Sequence, residues 1–483
     1  MHDSLTTRAR WQALGVLCLG VLMIVLDTTI VNVALPSIRT DLGFNETSLV
    51  WVVNAYMLTF GGFLLLGGRL GDLYGHRRLF LFGIVLFTVA SLACGLAYSQ
   101  AMLVIARAVQ GLGGAVVSAV SLSLMMNLFP APDERAKAMG IYSFVCAGGG
   151  SIGVIAGGLL TNLLSWHWIF LVNLPIGIAV YFVCLKLVPP ARTRSEAGRL
   201  DLGGAVTVTT ALMLAVYGIV NGNEAGWQSA QTLGLLLGAA LCLGVFLLIE
   251  SRVEAPLVPL GMFRLRNLST ASLVGMLWSG AMFAWFFISA LYMQLVLDYQ
   301  PLQVGLAFLP SNLIMAAFSL GLSARLVMRF GITRPLVFGL LLASAGLGLF
   351  ALAPPHGDFL TQVLPSMLLL GVGAGMGFNP LLLAAMNDVE ARDSGLASGV
   401  VNTAFMMGGA LGLAILASIA AAQTKAQLGT VSDALLALNS GYHLAFGVGA
   451  LFALTAALLS ACVIRTKLPP QGEQSAHAAA GHI

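Results

Sequence analysis

Charge is scarce in this chain. Asp, Glu, Lys and Arg make up 9% of its 483 residues, and hydrophobic residues 58%. A water-soluble domain carries about 25% charged residues, so the shortage excludes a soluble globular protein and no nucleic-acid partner is expected. Metal-binding patterns are missing too. The six cysteines (Cys18, Cys94, Cys146, Cys184, Cys242 and Cys462) all fall in apolar runs, with no C-x-x-C and no Cys/His cluster. They read as small buried apolar residues, with neither disulfide nor metal expected. His477 and His482 in the tail are too few to argue for a metal site. No P-loop appears, which removes ATP hydrolysis as an energy source. Neither G-x-S-x-G nor H-E-x-x-H appears, which disfavours a membrane enzyme. The long loops or soluble domain that a sensor or scaffold would need are also absent. What remains is a polytopic membrane protein with no cofactor, drawing on a gradient.

Apolar runs bounded by charge or turn residues fall at roughly 12–35, 48–68, 79–98, 102–128, 138–160, 168–188, 203–220, 231–250, 270–294, 303–327, 335–353, 362–386, 396–420 and 441–464. Each is long enough to cross a bilayer as a helix, giving about 14 spans. The first is too long for a signal-peptide core and continues into a motif, so it reads as a span. The seventh and eighth are divided by the turn-rich Asn221–Trp227. With the N-terminus inside, all but three of the 23 Lys and Arg residues fall on cytoplasmic segments. The exceptions are Arg39 and Lys425, outside, and Arg107, within a helix. This asymmetry follows the positive-inside rule and places both termini in the cytoplasm.

The chain repeats itself weakly. Gly68–Arg78 follows the second run and Ala324–Arg334 the tenth, with Arg, Leu, Gly and a trailing Arg at the same offsets. Two six-helix halves follow, helices 1–6 and 9–14, with helices 7 and 8 as an inserted linking pair. Duplicated halves around a midplane site are a transporter architecture. The expected organisation is a cytoplasmic N-terminus (1–11), a first half (12–188), a linker with two extra helices (189–266), a second half (267–464) and a disordered cytoplasmic tail (465–483).

Four stretches carry candidate chemistry. Asp27 lies inside the first apolar run with no basic neighbour in sequence. A lone carboxylate at membrane depth faces a cavity or a partner, so it is a proton or cation site or a packing carboxylate. Arg107 lies inside the fourth run, with Gln110 on the same face. It has an interior partner, snorkels to the surface, or anchors hydrogen bonds. Gly140, Gly149, Gly153, Gly157 and Gly158 place at least three glycines on one face of the fifth helix, a close-packing seam. The glycines of Gly68–Arg78 permit a tight turn, Asp72 suits a helix terminus, and Arg77 and Arg78 suit carboxylate pairing. Asp298, Glu250 and Asp388 stand at helix ends and are expected to be solvated or interfacial.

These motifs resemble the major facilitator superfamily. Gly68–Arg78 is similar to the family's loop between helices 2 and 3, which latches the halves together when the cytoplasmic side is closed. The resemblance makes Arg69, Asp72, Gly75, Arg77 and Arg78 gating candidates. His76 stands where Arg is frequent, and Met328 replaces the acid in the second copy. Leu103–Ala115 resembles the fourth-helix motif, whose Arg is linked to proton coupling. The glycine ladder resembles the fifth-helix motif of exporters and antiporters, with Val154 where Pro is typical. Leu26–Pro36 and Trp166–Gly177 resemble the 14-helix drug:proton antiporter branch (EmrB/QacA-like), as do Leu302–Pro310 and Gly395–Thr403. Phe405 and Met406 stand at positions often held by Arg and Gln.

The resemblance implies proton-coupled export of lipophilic compounds, cations among them, from the bacterial cytoplasmic (inner) membrane, with Asp27 carrying the proton and Arg107 tuning it. A monomer is the family expectation, and a periplasmic adaptor protein is left open. Rival readings are export of one metabolite or amino acid, and nutrient symport. Candidate substrate contacts are Asn32, Gln110, Trp285, Phe286, Tyr292, Asn379, Asn402 and Met406, a mostly apolar set that suits a lipophilic ligand better than a sugar. Whether Asp27 turns to the central cavity or to Arg107 decides its role. The first makes it accessible to protons and substrate. The second makes it a structural ion pair and sends the search for the proton site elsewhere.

Overall fold

The computed structural model describes residues 7–129, 132–188, 201–253, 256–258, 260–389, 394–428 and 433–465. Within these, the surroundings of Asp72, Gly140 and Cys146 lie outside the description, as does the tail beyond residue 465. All of the regular structure among the described residues is helical. The long helices of the first half are α1 (Thr7–Leu42), α2 (Trp51–Tyr74), α3 (His76–Gly95), α4 (Gln100–Leu128), α5 (Pro132–Leu163) and α6 (Asn173–Leu187). The linking pair is α7 (Leu202–Ala225) and α8 (Ala230–Arg252). The second half comprises α9 (Arg266–Leu291), α10 (Pro301–Ala317), α11 (Thr333–Phe350), α12 (Leu364–Met386), α13 (Ser394–Leu428) and α14 (Ala434–Val463).

Twelve of these helices are, among the described residues, long and apolar enough to cross a membrane. Helix α5 is 32 residues long. Helix α10 has 17 residues and runs on through Phe318–Leu322 into Ser323–Phe330, with a bend at Gly321 (φ +126°). Apolar sequence on every side of a helix is what lipid on one face and protein on the other require. Short polar side chains start several helices: Ser99 Oγ accepts from the Met102 amide at 3.3 Å, and Ser229 Oγ from Thr232 at 3.1 Å. Gly75 (φ +95°) ends α2 and lets α3 begin at the next residue, a backbone state that a side chain would strain.

Within the first half, α4 packs against α2 and α3, α1 against α5, and α6 against α1 and α3. In the second half α13 packs on α9, α11 on α12 and α14, and α10 on α12. The halves meet along two seams, α2 with α13 and α5 with α10. Each seam joins the second helix of one half to the fifth of the other, as the internal repeat requires. Helix α7 lies against α2 and α13, and α8 packs on α7. Of the twelve spans, α8 is the least buried within the protein.

Two expectations need correction. Cys18, Cys94 and Cys184 are buried, but Cys242 is half-buried and Cys462 exposed. An apolar side chain that can face lipid has no need of protein burial. Glu250 is not solvated: it is only 4% exposed, because the chain after α8 folds back over it. Asp298 and Asp388 are exposed, as helix-end acids are expected to be.

A buried carboxylate–guanidinium site

The glycine ladder sets the position of α1. A Cβ on Gly149 would stand 2.9 Å from Leu22 Cδ1, one on Gly157 2.6 Å from the Ile30 carbonyl oxygen, and one on Gly153 would overlap the Thr29 hydroxyl. Leu22, Val25, Leu26, Thr29 and Ile30 therefore lie against α5 at backbone distance. Asp27 is rotated about 100° from Leu26 and points the other way, into α3, α4 and α6. Gly158 faces the other half, where its Cβ would stand 2.8 Å from the Pro301 carbonyl oxygen. Gly305 meets the Val154 carbonyl oxygen at the same distance.

Asp27 is 0% exposed and turns to Arg107, not to open space. Arg107 Nη1 donates to Asp27 Oδ2 at 2.5 Å and to Gln110 Oε1 at 2.7 Å. Gln110 Nε2 donates to Asp27 Oδ1 at 2.7 Å and to Ser91 Oγ at 2.7 Å. Asn173 Nδ2, from the first turn of α6, donates to the same two acceptors at 3.2 and 3.0 Å. Arg107 Nε donates to the Val52 carbonyl on α2 at 2.9 Å. The guanidinium carbon lies 4.5 Å from the Tyr56 ring centroid and 5.6 Å from that of Phe170. Removing two charges from water costs several kcal/mol per ion, offset only where geometry and extra hydrogen bonds are good. Here the carboxylate accepts three N–H donors and the guanidinium lies against aromatic rings. Protonating Asp27 would remove the charge that holds Arg107.

Asn173 and Ser91 escaped the sequence reading. Asn173 stood inside the Trp166–Gly177 motif, and a polar side chain in an apolar helix was the available signal. Gln110, expected at the substrate, is instead sealed inside the first half. Tyr292 donates its hydroxyl to the Pro354 carbonyl at 2.8 Å and ties the end of α9 to the turn after α11. Asn32 and Asn402 donate within their own helices, to Thr28 O and Ser398 O. Asn379 is half-buried, and half-buried Met406 lies against Gly61 across the α2–α13 seam.

The Trp285 and Phe286 rings lie tilted at 4.4 Å, and Phe286 stacks on Phe308 of α10 at 5.3 Å. Phe405 packs between Phe283 and Phe378. The indole N–H groups of Trp278 and Trp285 are buried without an acceptor among the described residues. A separate cavity of about 670 Å³, lined by Phe330, Arg334, Phe338 and Met376, shares no residue with the Asp27 network.

Of the gating candidates, Arg77 Nη2 donates to the Leu185 carbonyl at the end of α6, at 2.7 Å and within the same half. Arg69 is half-buried and Arg78 exposed. Among the described residues, polar contacts that cross between the halves lie elsewhere. Asn54 Nδ2 donates to the Ala410 carbonyl of α13 at 3.0 Å, and Gln294 Nε2 to the Val33 carbonyl of α1 at 2.9 Å.

The chain is 39% identical over 457 residues to the puromycin resistance protein pur8 of Streptomyces alboniger, covering 94% of this chain and 90% of that protein. It is 38% identical to the cephamycin export protein CmcT of Amycolatopsis lactamdurans, covering 94% of this chain and 92% of that one. It is 34% identical to the tetracenomycin C resistance and export protein of Streptomyces glaucescens, covering 86% and 76%. Its fold is similar to that of an auto-inhibited POT family peptide transporter, with a TM-score of 0.66, 16% identity and coverage of 96% and 98%. It is likewise similar to the inward-open xylose transporter XylE from E. coli, with a TM-score of 0.62, 16% identity and coverage of 97% and 99%. The model of the Major Facilitator Superfamily matches residues 17–413, and the chain belongs to that family of membrane transporters.

Proposed function

We propose that this protein exports small lipophilic compounds in exchange for protons by alternating access of its two halves. The observation that carries the reading is the sealed Asp27–Arg107 pair, which bonds through Val52 to α2, one of the helices at the inter-half seams. In this account a proton replaces Arg107 as the partner of Asp27. The freed guanidinium shifts against Val52 and Tyr56, and α2 moves relative to α13. Asp27 faces Arg107, the arrangement expected of a structural ion pair; in the proposal the pair departs from that expectation by opening, and Asp27 is loaded only then. Arg69, Asp72, Gly75, Arg77 and Arg78 gate the cytoplasmic side. The aromatic and methionine side chains of α9, α10, α12 and α13 form an adaptable apolar surface for substrate.

The proposal takes α5 and the α10 segment as membrane crossings beside the twelve long apolar spans, for fourteen in all. Both termini then lie in the cytoplasm, and the transporter works as a monomer in the cytoplasmic membrane. Similar proteins named for resistance to, or export of, different antibiotics support drug efflux. Their names also favour a second reading, a dedicated exporter of one compound, because each names a single substance.

Proteoliposomes with an imposed pH gradient test the proposal. Uphill transport of a lipophilic cation should appear with the gradient and stop when an ionophore dissipates it. Transport that ignores the gradient refutes proton exchange. Transport restricted to one compound of a diverse panel selects the second reading.

A further inference from the structure

A second pair of acidic side chains meets where the two linking helices end. Asp201 caps α7, its Oδ1 accepting from the Gly204 amide at 2.7 Å. Glu250 stands near the end of α8, its Oε2 accepting from the Val258 amide at 3.2 Å. The two residues are 5% and 4% exposed. The remaining oxygen of each, Asp201 Oδ2 and Glu250 Oε1, meets no donor among the described residues. Both converge on one point: a Cβ on Gly204 would overlap Asp201 Oδ2 and stand 2.9 Å from Glu250 Oε1. Those two oxygens are therefore no more than about 5 Å apart. Two buried carboxylates that face each other repel, and a contact between their oxygens is a hydrogen bond only if one carries a proton.

We propose that Asp201 and Glu250 together hold one exchangeable proton, and that its loss loosens the linking helices from α2. The bound state is a carboxyl–carboxylate pair with a single O–H shared across it. On release that O–H bond breaks, the proton passes to water, and two carboxylates remain. The site is joined to α2 by packing. Ala205, beside Gly204, and Leu257, beside Val258, form a small apolar cluster with Leu66, and Leu70 packs against it. Thr209 of α7 lies against Gly62 of α2 one turn further on. Repulsion between Asp201 and Glu250 therefore strains the contacts that place α7 on α2. The other charged groups at this end of these elements are Arg252, exposed on α8, and Arg69, half-buried on α2, and neither forms an ion pair with either carboxyl among the described residues. Glu224 is at the opposite end of α7, beside Asn45 and Thr47. Arg199 and Glu254 lie outside the described residues, as does the side chain of Asp72.

The test needs no transport, so its failure is separable from failure of the export reading. Full-length protein is reconstituted in phosphatidylglycerol–phosphatidylethanolamine vesicles, and infrared difference spectra are recorded between about pH 5.5 and 9, above the ordinary carboxylate range. The wild type should show a protonated-carboxyl band that titrates away. Asp27→Asn should keep it and Glu250→Gln should lose it. Asp201→Asn keeps the helix cap and serves as the second variant, with the same loss expected. The wild-type thermal midpoint should fall as pH rises through that window, while that of Glu250→Gln stays level. Absence of the band in wild type, its survival in both pair variants, or high-pH stability restored by sodium, magnesium or calcium overturns the proposal; the last outcome makes this a metal site.

Discussion

Arg107 and Asp27 are 80 residues apart in sequence and 2.5 Å apart at Nη1 and Oδ2. Each alone is costly at membrane depth. Together with Gln110, Asn173 and Ser91 they form a closed polar unit inside the first half. The pair bears on α1 and α4 directly, and on α2 through the Val52 carbonyl, so its state can be felt at the seam between the halves.

Removing one partner should cost far more than removing both. Arg107→Leu leaves Asp27 without a counter-charge and should lower stability by about 3–5 kcal/mol. Adding Asp27→Asn to that variant should recover part of the loss. Thermal unfolding of purified protein reads both effects. If Arg107→Leu is as stable as wild type, the pair does not hold the first half together.

Helix α2 carries the predicted relay. The Val52 carbonyl accepts from Arg107, while Asn54, about 200° further round the helix, donates to Ala410 of the second half. Asn54→Ala should cost only about 1 kcal/mol of stability, the net worth of one hydrogen bond. It should slow transport several-fold with substrate binding unchanged. A wild-type turnover would place the coupling route elsewhere.

The ladder on α5 makes a graded prediction. Gly157→Ala puts a methyl group 2.6 Å from the Ile30 carbonyl oxygen, which cannot yield without moving α1. It should cost about 1–3 kcal/mol by overpacking and displace Asp27 from Arg107. At Gly150 the nearest atom is 3.9 Å away, so Gly150→Ala should be close to neutral. Equal thermal midpoints for the two variants would remove the seam from the account.

The α5–α10 seam should control access at its end of the protein. Gly305→Ala and Gly158→Ala each drive a methyl group to 2.8 Å from a carbonyl oxygen of the opposite half. Spin labels placed across the α5–α10 seam should report longer separations in both variants. Unchanged distance distributions would show that the halves tolerate the extra atoms there.

The helices were legible because a bilayer forces each span to be long and apolar, and twelve of the expected runs fall on described helices long and apolar enough to cross one. The Gly68–Arg78 repeat led to the expectation of two halves, since turns at equal offsets mark equal places in a duplicated fold. Asp27 and Arg107 each stood out by their cost in lipid. Their pairing was one of two alternatives left open, because the rotation of a helix apolar on all sides leaves little periodic trace. The same blindness left Asn173 and Ser91 unread. Glu250 was misjudged for a different reason. Its position at a helix end implied water, and only the fold brings the Val258 amide and the carboxyl of Asp201 against it.

Asp27→Asn in proteoliposomes tests the central claim most directly. The variant should still exchange labelled for unlabelled substrate across the membrane, because that step needs no net proton movement. It should lose uphill transport driven by the pH gradient. Uphill transport at the wild-type rate in Asp27→Asn would contradict the account, and the proton carried in exchange would then have to bind at another residue.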